Sequence, residues 1–216
     1  MNEELTEIVF ILDSSGSMAG LESDTIGGFN AMLERQKKEP GRALLSAVLF
    51  SNDSRVLYDR ADVRTVEPMT DEQYRVGGCT ALLDAIGGAV HHIGLVHKYA
   101  REEDRPARTI FVITTDGLEN ASREYTYDKV QRMVKSRQEK HGWEFLFLGA
   151  NMDAIAAARS FGIREDRAVR YCCDSKGTAL NYRTVSGVIA AAREGRPIQA
   201  DWCGAINEDF RRRGKK

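Results

Sequence analysis

Asp13, Ser15 and Ser17 occupy alternate positions of the run Asp13-Ser14-Ser15-Gly16-Ser17. In a tight loop, alternate residues can turn their oxygens toward one point while Gly16 lets the backbone fold closely around it. Ser14 would then face elsewhere. Thr80, which follows the pair Gly77-Gly78, and Asp116, in Thr114-Thr115-Asp116-Gly117, offer two further oxygens. Two carboxylates and three hydroxyls make a hard, all-oxygen donor set that suits Mg²⁺ and excludes soft-metal chemistry. Because hydroxyls supply most of the contacts, a cation held there stays under-neutralised. It keeps affinity for an anion from outside, such as an Asp or Glu carboxylate that displaces a bound water. Each residue alone has a simpler role: Asp13 or Ser17 as a cap, Thr80 as an N-cap, Asp116-Gly117 as a turn. Their joint occurrence favours a site.

Such oxygens have to be delivered by strand ends and helix starts. Residues 7–12 read Glu-Ile-Val-Phe-Ile-Leu, a short apolar run typical of a strand covered on both faces, and it stops at Asp13. Residues 109–115 form a similar run that stops at Asp116. Between them, residues 23–38 place Ile26, Phe29, Met32 and Leu33 at helical spacing, ended by Pro40-Gly41. Residues 44–50 and 55–58 are joined by an Asn52-Asp53 turn short enough to make an antiparallel hairpin. Residues 80–101 put Leu83, Ile86, Val90, Ile93 and Val96 on one helical face. A helix over 125–140, a strand over 143–148, a short helix over 153–161, a strand over 168–172 and a helix over 178–193 continue the alternation.

This alternation predicts an α/β fold: a doubly wound, mainly parallel sheet with one antiparallel edge hairpin strand and helices on both faces, Rossmann-like in plan. Sheets of this kind bind ligands beyond the carboxyl ends of their strands, at the switch point in strand order. Asp13 and Asp116 end strands, and Thr80 opens a helix, so all three can reach that edge.

With its residues placed, the chain resembles the von Willebrand factor A (VWA) family. The family's metal-ion-dependent adhesion site has the pattern D-x-S-x-S, a separate Thr and a separate Asp. Asp13-Ser14-Ser15-Gly16-Ser17-Met18 looks like the first element, Gly77-Gly78-Cys79-Thr80-Ala81-Leu82 resembles the loop carrying the Thr, and Thr114-Thr115-Asp116-Gly117 the loop carrying the final Asp. The resemblance covers residues 7–193, with all five ligand positions present and in family order. It implies a module that binds another protein through Mg²⁺, or through Mn²⁺ or Ca²⁺, the partner contributing an Asp or Glu. It also implies that Asp13 and Asp116 act partly through coordinated water, while Ser15, Ser17 and Thr80 contact the ion directly. The chain looks more like stand-alone bacterial members than like adhesive extracellular ones. Glu119 and Asn120 are candidates to accept from metal-bound water, although a solvated loop explains them equally well.

The main enzymatic alternative is a Mg²⁺-dependent phosphohydrolase with Asp13 as nucleophile. Enzymes of the haloacid dehalogenase type carry a second Asp two residues on, where this chain has Ser15, so catalysis is not expected. The loop after Gly16 is neither G-x-G-x-x-G nor a Walker A sequence, and no G-x-S-x-G elbow surrounds Ser17. His91, His92 and His97 share a helix without H-E-x-x-H spacing, which leaves them packing or surface roles.

The 216 residues fit a single domain over 1–200, followed by an extension over 201–216. Its block Arg211, Arg212, Arg213, Lys215 and Lys216 is expected as a flexible, solvated tail. With 31 basic and 32 acidic side chains the net charge is −1, so no global field draws the chain to nucleic acid or to anionic lipid. No apolar stretch approaches the roughly 20 residues that cross a bilayer, and the N-terminus lacks the pattern of a signal peptide, so a cytoplasmic protein is expected. Cys79, Cys172, Cys173 and Cys203 contain no C-x-x-C pair and are expected as reduced, mostly buried thiols.

Overall fold

In a computed structural model, which describes residues 1–213, six strands form one sheet: β1 (Asn2–Asp13), β2 (Arg42–Phe50), β3 (Ser54–Asp62), β4 (Pro106–Thr115), β5 (Glu144–Gly149) and β6 (Ala168–Arg170). Their order is β3-β2-β1-β4-β5-β6. Every neighbouring pair is parallel except β2 and β3, whose antiparallel pairing is the edge hairpin expected from the short Asn52-Asp53 connection. The helices are α1 (Glu22–Lys38), α2 (Leu82–Tyr99), α3 (Tyr127–His141), α4 (Ala154–Ser160), α5 (Ser175–Arg193) and α6 (Gly204–Arg213).

β1 explains why its sequence is a continuous apolar run. Side chains alternate across a strand, and here both faces are covered. Ile8, Phe10 and Leu12 pack into the layer that holds Phe29 and Leu33 of α1 and Val185 and Ile189 of α5. Val9 and Ile11 pack into the opposite layer with Ile86 and Val90 of α2 and Val134 of α3. Burial of such side chains stabilises the fold by roughly 1.5–3 kcal/mol each.

Helix α5 is locked onto α1 by polar contacts as well as by apolar ones. The Arg193 guanidinium donates to the carbonyls of Gln36, Glu39, Pro40 and Gly41, at and just beyond the C-terminal end of α1. Beside them, Gly28 faces Tyr182 so closely that a Cβ on Gly28 would lie 2.3 Å from the ring.

The basic block differs from its sequence expectation. Arg211, Arg212 and Arg213 belong to the last turn of α6, and Ile206 of that helix is buried in the α1/α5 layer. The helix tolerates its like charges because Glu208 and Asp209 stand four residues before Arg212 and Arg213 and pair with them. Arg213 also reaches Asp174. Lys215 and Lys216 lie outside the described residues. The thiols differ too: all four are free, and Cys203 is buried, but Cys172 and Cys173 are half-buried and Cys79 is exposed. His97 packs edge-on against Trp143 and meets the buried Glu7, while His92 meets Asp59, in keeping with packing and surface roles. Among the described residues no helix is long and apolar enough to cross a membrane.

Candidate metal centre

β1 and β4 are neighbours in the sheet, although β2 and β3 separate them in the chain. β1 leads into α1 on one face and β4 into α3 on the other, so the chain diverges here and leaves a crevice at the strand ends. Pairing of Leu12 with Thr114 brings Asp13 beside Thr115, whose hydroxyl donates to Asp13 Oδ2 at 2.6 Å. The other carboxylate oxygen accepts from the Ser15 backbone N–H at 2.7 Å, a contact made possible by the two-residue spacing. Tyr74 donates its hydroxyl to the Asp13 carbonyl at 2.5 Å, anchoring the end of the strand.

Beyond Asp13 the chain makes a single 3-10 turn, Gly16–Met18. This turn brings Ser15 Oγ and Ser17 Oγ within 3.0 Å of each other, and Ser17 Oγ donates to Asp116 Oδ1 at 2.5 Å. Ser14 does face elsewhere, since its hydroxyl donates to the Phe50 carbonyl at 3.0 Å. Two backbone bonds, Gly16 N–H to Gly78 carbonyl at 3.0 Å and Gly77 N–H to Ser14 carbonyl at 2.9 Å, stitch this loop to the one that carries Thr80.

Thr80 is not the cap of its helix. α2 begins at Leu82 with Ala81 in the cap position, and the Thr80 hydroxyl has no hydrogen-bond partner among the described residues although the residue is only 3% exposed. Its backbone is held from both sides: Thr80 N–H donates to Asn120 Oδ1 at 2.9 Å, and Asn120 N–H donates to the Thr80 carbonyl at 3.0 Å. Gly117 shows where the hydroxyls meet. A Cβ on Gly117 would stand 3.0 Å from Thr80 Oγ1 and 3.4 Å from Ser17 Oγ, so the two hydroxyls, with Asp116 adjacent, flank one small space.

The electrostatics of that space favour a cation. Asp13 and Asp116 are 1% and 5% exposed, and no basic side chain pairs with either among the described residues. Burial pushes the Asp13 carboxyl above the usual carboxylate range, bonds from Ser15 and Thr115 pull it back, and nearby Asp116 pushes it further up. The Cys173 thiol, 3.6 Å from Asp116 Oδ2, is pushed up to about 12 by burial and by that carboxylate, so it stays a neutral donor. Among the described residues no three His, Cys, Asp or Glu side chains converge, so the donor set here is two carboxylates completed by hydroxyls. Two buried carboxylates without a basic partner, beside the Thr80 hydroxyl that no described residue bonds, fit a hard divalent cation. Asp13, Ser15, Ser17, Thr80 and Asp116 would hold it, and Ser17, being exposed, marks the side open to solvent.

The structure therefore brings together all five residues singled out in the sequence. Glu119 instead clamps a loop: its carboxylate accepts from the N–H groups of Leu83, Ala121 and Ser122 and from the Ser122 hydroxyl. Thr115 and Tyr74, which fix Asp13, are not legible in the sequence. Thr115 stands beside Asp116, but only strand pairing shows that it turns to β1, and Tyr74 lies in an irregular segment without any local signal.

No family model matches the chain, and no curated protein matches it. Solved structures are similar to it at the level of the fold. Proximal thread matrix protein 1 from the mussel byssus, in a structure with a zinc-occupied MIDAS motif, shares 14% identity at a TM-score of 0.57, covering 86% of this chain and 46% of that one. A von Willebrand factor type A protein from Catenulispora acidiphila shares 16% identity at a TM-score of 0.57, covering 86% and 42%. The ArnB paralog VWA2 from Sulfolobus acidocaldarius shares 18% at 0.53, covering 88% and 45%. The chain spans less than half the length of each. With its six-stranded order, its antiparallel edge and its helices on both faces, the chain has the von Willebrand factor A fold.

Proposed function

We propose that this chain is a metal-dependent binding module that captures an Asp or Glu carboxylate of a partner protein at Asp13, Ser15, Ser17, Thr80 and Asp116. The observation that carries this reading is the convergence of the Thr80 and Ser17 hydroxyls and the Asp116 carboxylate on one small space. A divalent cation, Mg²⁺ by the hardness of the donors or else Mn²⁺ or Ca²⁺, would supply a Lewis-acid centre with a position left for an anionic oxygen. The protein's part is to hold the donors ready. Thr115 and the Ser15 N–H fix both oxygens of Asp13, Asn120 fixes the backbone of Thr80, and Ser17 sits at the exposed mouth.

Capture is favoured over phosphoryl transfer by the residue two places after Asp13. Position 15, where a second Asp would serve as general acid and base, is a serine. The zinc-occupied MIDAS motif of the byssus protein supports the cation part of the reading by analogy of fold.

Calorimetric titration of Mg²⁺ into metal-free protein tests it. Binding heat and a thermal shift are expected for the parent and are lost in Asp13→Ala and Thr80→Ala. A parent with neither heat nor shift overturns the proposal, and a partner retained equally in Mg²⁺ and in chelator overturns carboxylate capture.

A further inference from the structure

Helix α2 starts without a cap of its own. Ala81 in the cap position offers no side-chain acceptor, so the first N–H groups of the helix need partners from elsewhere. The loop after Asp116 supplies them. Glu119 Oε2 accepts from Leu83 N–H at 2.8 Å, and Ser122 Oγ accepts from Asp84 N–H at 3.0 Å while donating to Glu119 Oε2 at 2.8 Å. A carboxylate at this end of a helix also meets the favourable end of its dipole.

The helix binds the loop in return. Asp84, in its first turn, accepts from the N–H groups of Arg123, Glu124 and Tyr125 at 2.8–2.9 Å. The Tyr125 ring lies so close to Gly87 that a Cβ there would stand 2.2 Å from it. Glu119 also ties up its own loop, through Ala121 N–H at 3.0 Å and Ser122 N–H at 2.8 Å. Counting the pair between Asn120 and Thr80, seven hydrogen bonds cross between residues 80–84 and residues 119–125.

The two segments carry different parts of the candidate metal centre. Thr80 opens the first, and Asp116 stands three residues before the second. The crossed carboxylates therefore hold the Thr80 hydroxyl to one place relative to Asp116. In an octahedral shell, neighbouring donors lie about 2.8–3.0 Å apart around Mg²⁺, with ligands at about 2.0–2.1 Å, and about 3.3–3.7 Å apart around Ca²⁺, with ligands at about 2.3–2.6 Å. Ser15 Oγ and Ser17 Oγ are 3.0 Å apart, the smaller spacing. Ca²⁺ needs donors separated by about half an ångström more, and on the Thr80 side that movement strains the clamp.

We propose that Glu119 and Asp84 are positioning residues of the metal centre: their crossed clamp holds the Thr80 loop against the Asp116 loop at a spacing that admits Mg²⁺ and resists Ca²⁺. This rests on the metal-dependent reading of the site and deepens it by assigning its choice of cation. Mg²⁺ depends on the clamp because it demands near-ideal geometry, whereas Ca²⁺ tolerates irregular shells.

The test is calorimetric titration of the metal-free full chain with Mg²⁺ and, separately, with Ca²⁺. The parent is expected to bind Mg²⁺ the more tightly. Glu119→Gln keeps the shape of the side chain but turns an amide N–H toward protein donors, and it is expected to cut the ratio of Mg²⁺ to Ca²⁺ affinity roughly tenfold, the order of effect that partners of metal ligands exert. Ser122→Ala, which removes one crossing bond and one bond to Glu119, is expected to act in the same direction and serves should Glu119→Gln fail to fold. Ile163→Ala, a core substitution outside the clamp, is expected to lower stability and leave the ratio unchanged, which separates positioning from a general loss of stability. A parent that prefers Ca²⁺, a ratio that survives loss of the clamp, or an equal change in Ile163→Ala overturns the proposal. A parent that binds neither ion overturns the metal centre itself, so the two failures are told apart.

Discussion

Gly117→Ala isolates the candidate metal centre from the rest of the fold. Gly117 is not among the glycines with positive φ, so its backbone accepts alanine, and the consequence of the new methyl is confined to what it touches. It would stand 3.0 Å from Thr80 Oγ1 and 3.4 Å from Ser17 Oγ, close enough to move the first by a few tenths of an ångström. Mg²⁺ demands ligands at about 2.0–2.1 Å in near-ideal geometry, so such a displacement weakens binding, and we take a tenfold loss, about 1.4 kcal/mol. At a Mg²⁺ concentration 100 times the parent's Kd, linkage stabilises the parent by about 2.7 kcal/mol and the variant by about 1.4 kcal/mol. For a chain of this length those figures correspond to rises in Tm of roughly 8 °C and roughly 4 °C. Thermal melts with Mg²⁺ and with chelator measure both, and in chelator the two proteins are expected to melt together. Equal rises in parent and variant would refute the placement of the cation between Thr80 and Ser17.

Gly28→Ala is expected to destabilise by about 1–3 kcal/mol in urea denaturation, since its Cβ would enter the Tyr182 ring and force α1 from α5. A cavity of about 20 Å³ between the sheet and these helices is lined by Thr25, Thr178 and Asn181, each with a buried oxygen that no described residue bonds. Room of that size and polarity holds one water, so Thr178→Val is expected to cost about 1 kcal/mol, whereas a dry cavity would make the same change neutral or stabilising. Asp174, held below its ordinary 3.8 by the Arg213 guanidinium and by its cap on α5, contributes stability that is present above that value and is lost as pH falls through the lowered one. Acid denaturation followed in Asp174→Asn is expected to show a shallower loss below 3.8 than in the parent, and identical profiles would count against the Arg213 contact.

The sequence by itself determined the local chemistry. Asp13, Ser15 and Ser17 converge because contacts across two residues depend only on a strand end and a tight loop, and the β-branched apolar runs before Asp13 and Asp116 identify central strands covered on both faces. The hairpin of β2 and β3 was legible for the same reason, since a connection that short permits no other pairing. What the sequence could not decide depends on groups distant in the chain. Thr115 acts on Asp13 only because β1 lies beside β4, Asn120 fixes Thr80 across forty positions, and Glu119 reads equally as an acceptor for metal-bound water or a solvated residue until its donor on α2 is seen. The basic block at residues 211–213 looked like a repelling tail because charge was counted along the chain. In the fold, Glu208 and Asp209 one turn earlier, Asp174 on a neighbouring element and the burial of Ile206 offset that repulsion and make it a helix. Hydrogen bonds between neighbours in sequence are set by spacing, whereas those between strands and helices exist only once packing has chosen which elements touch.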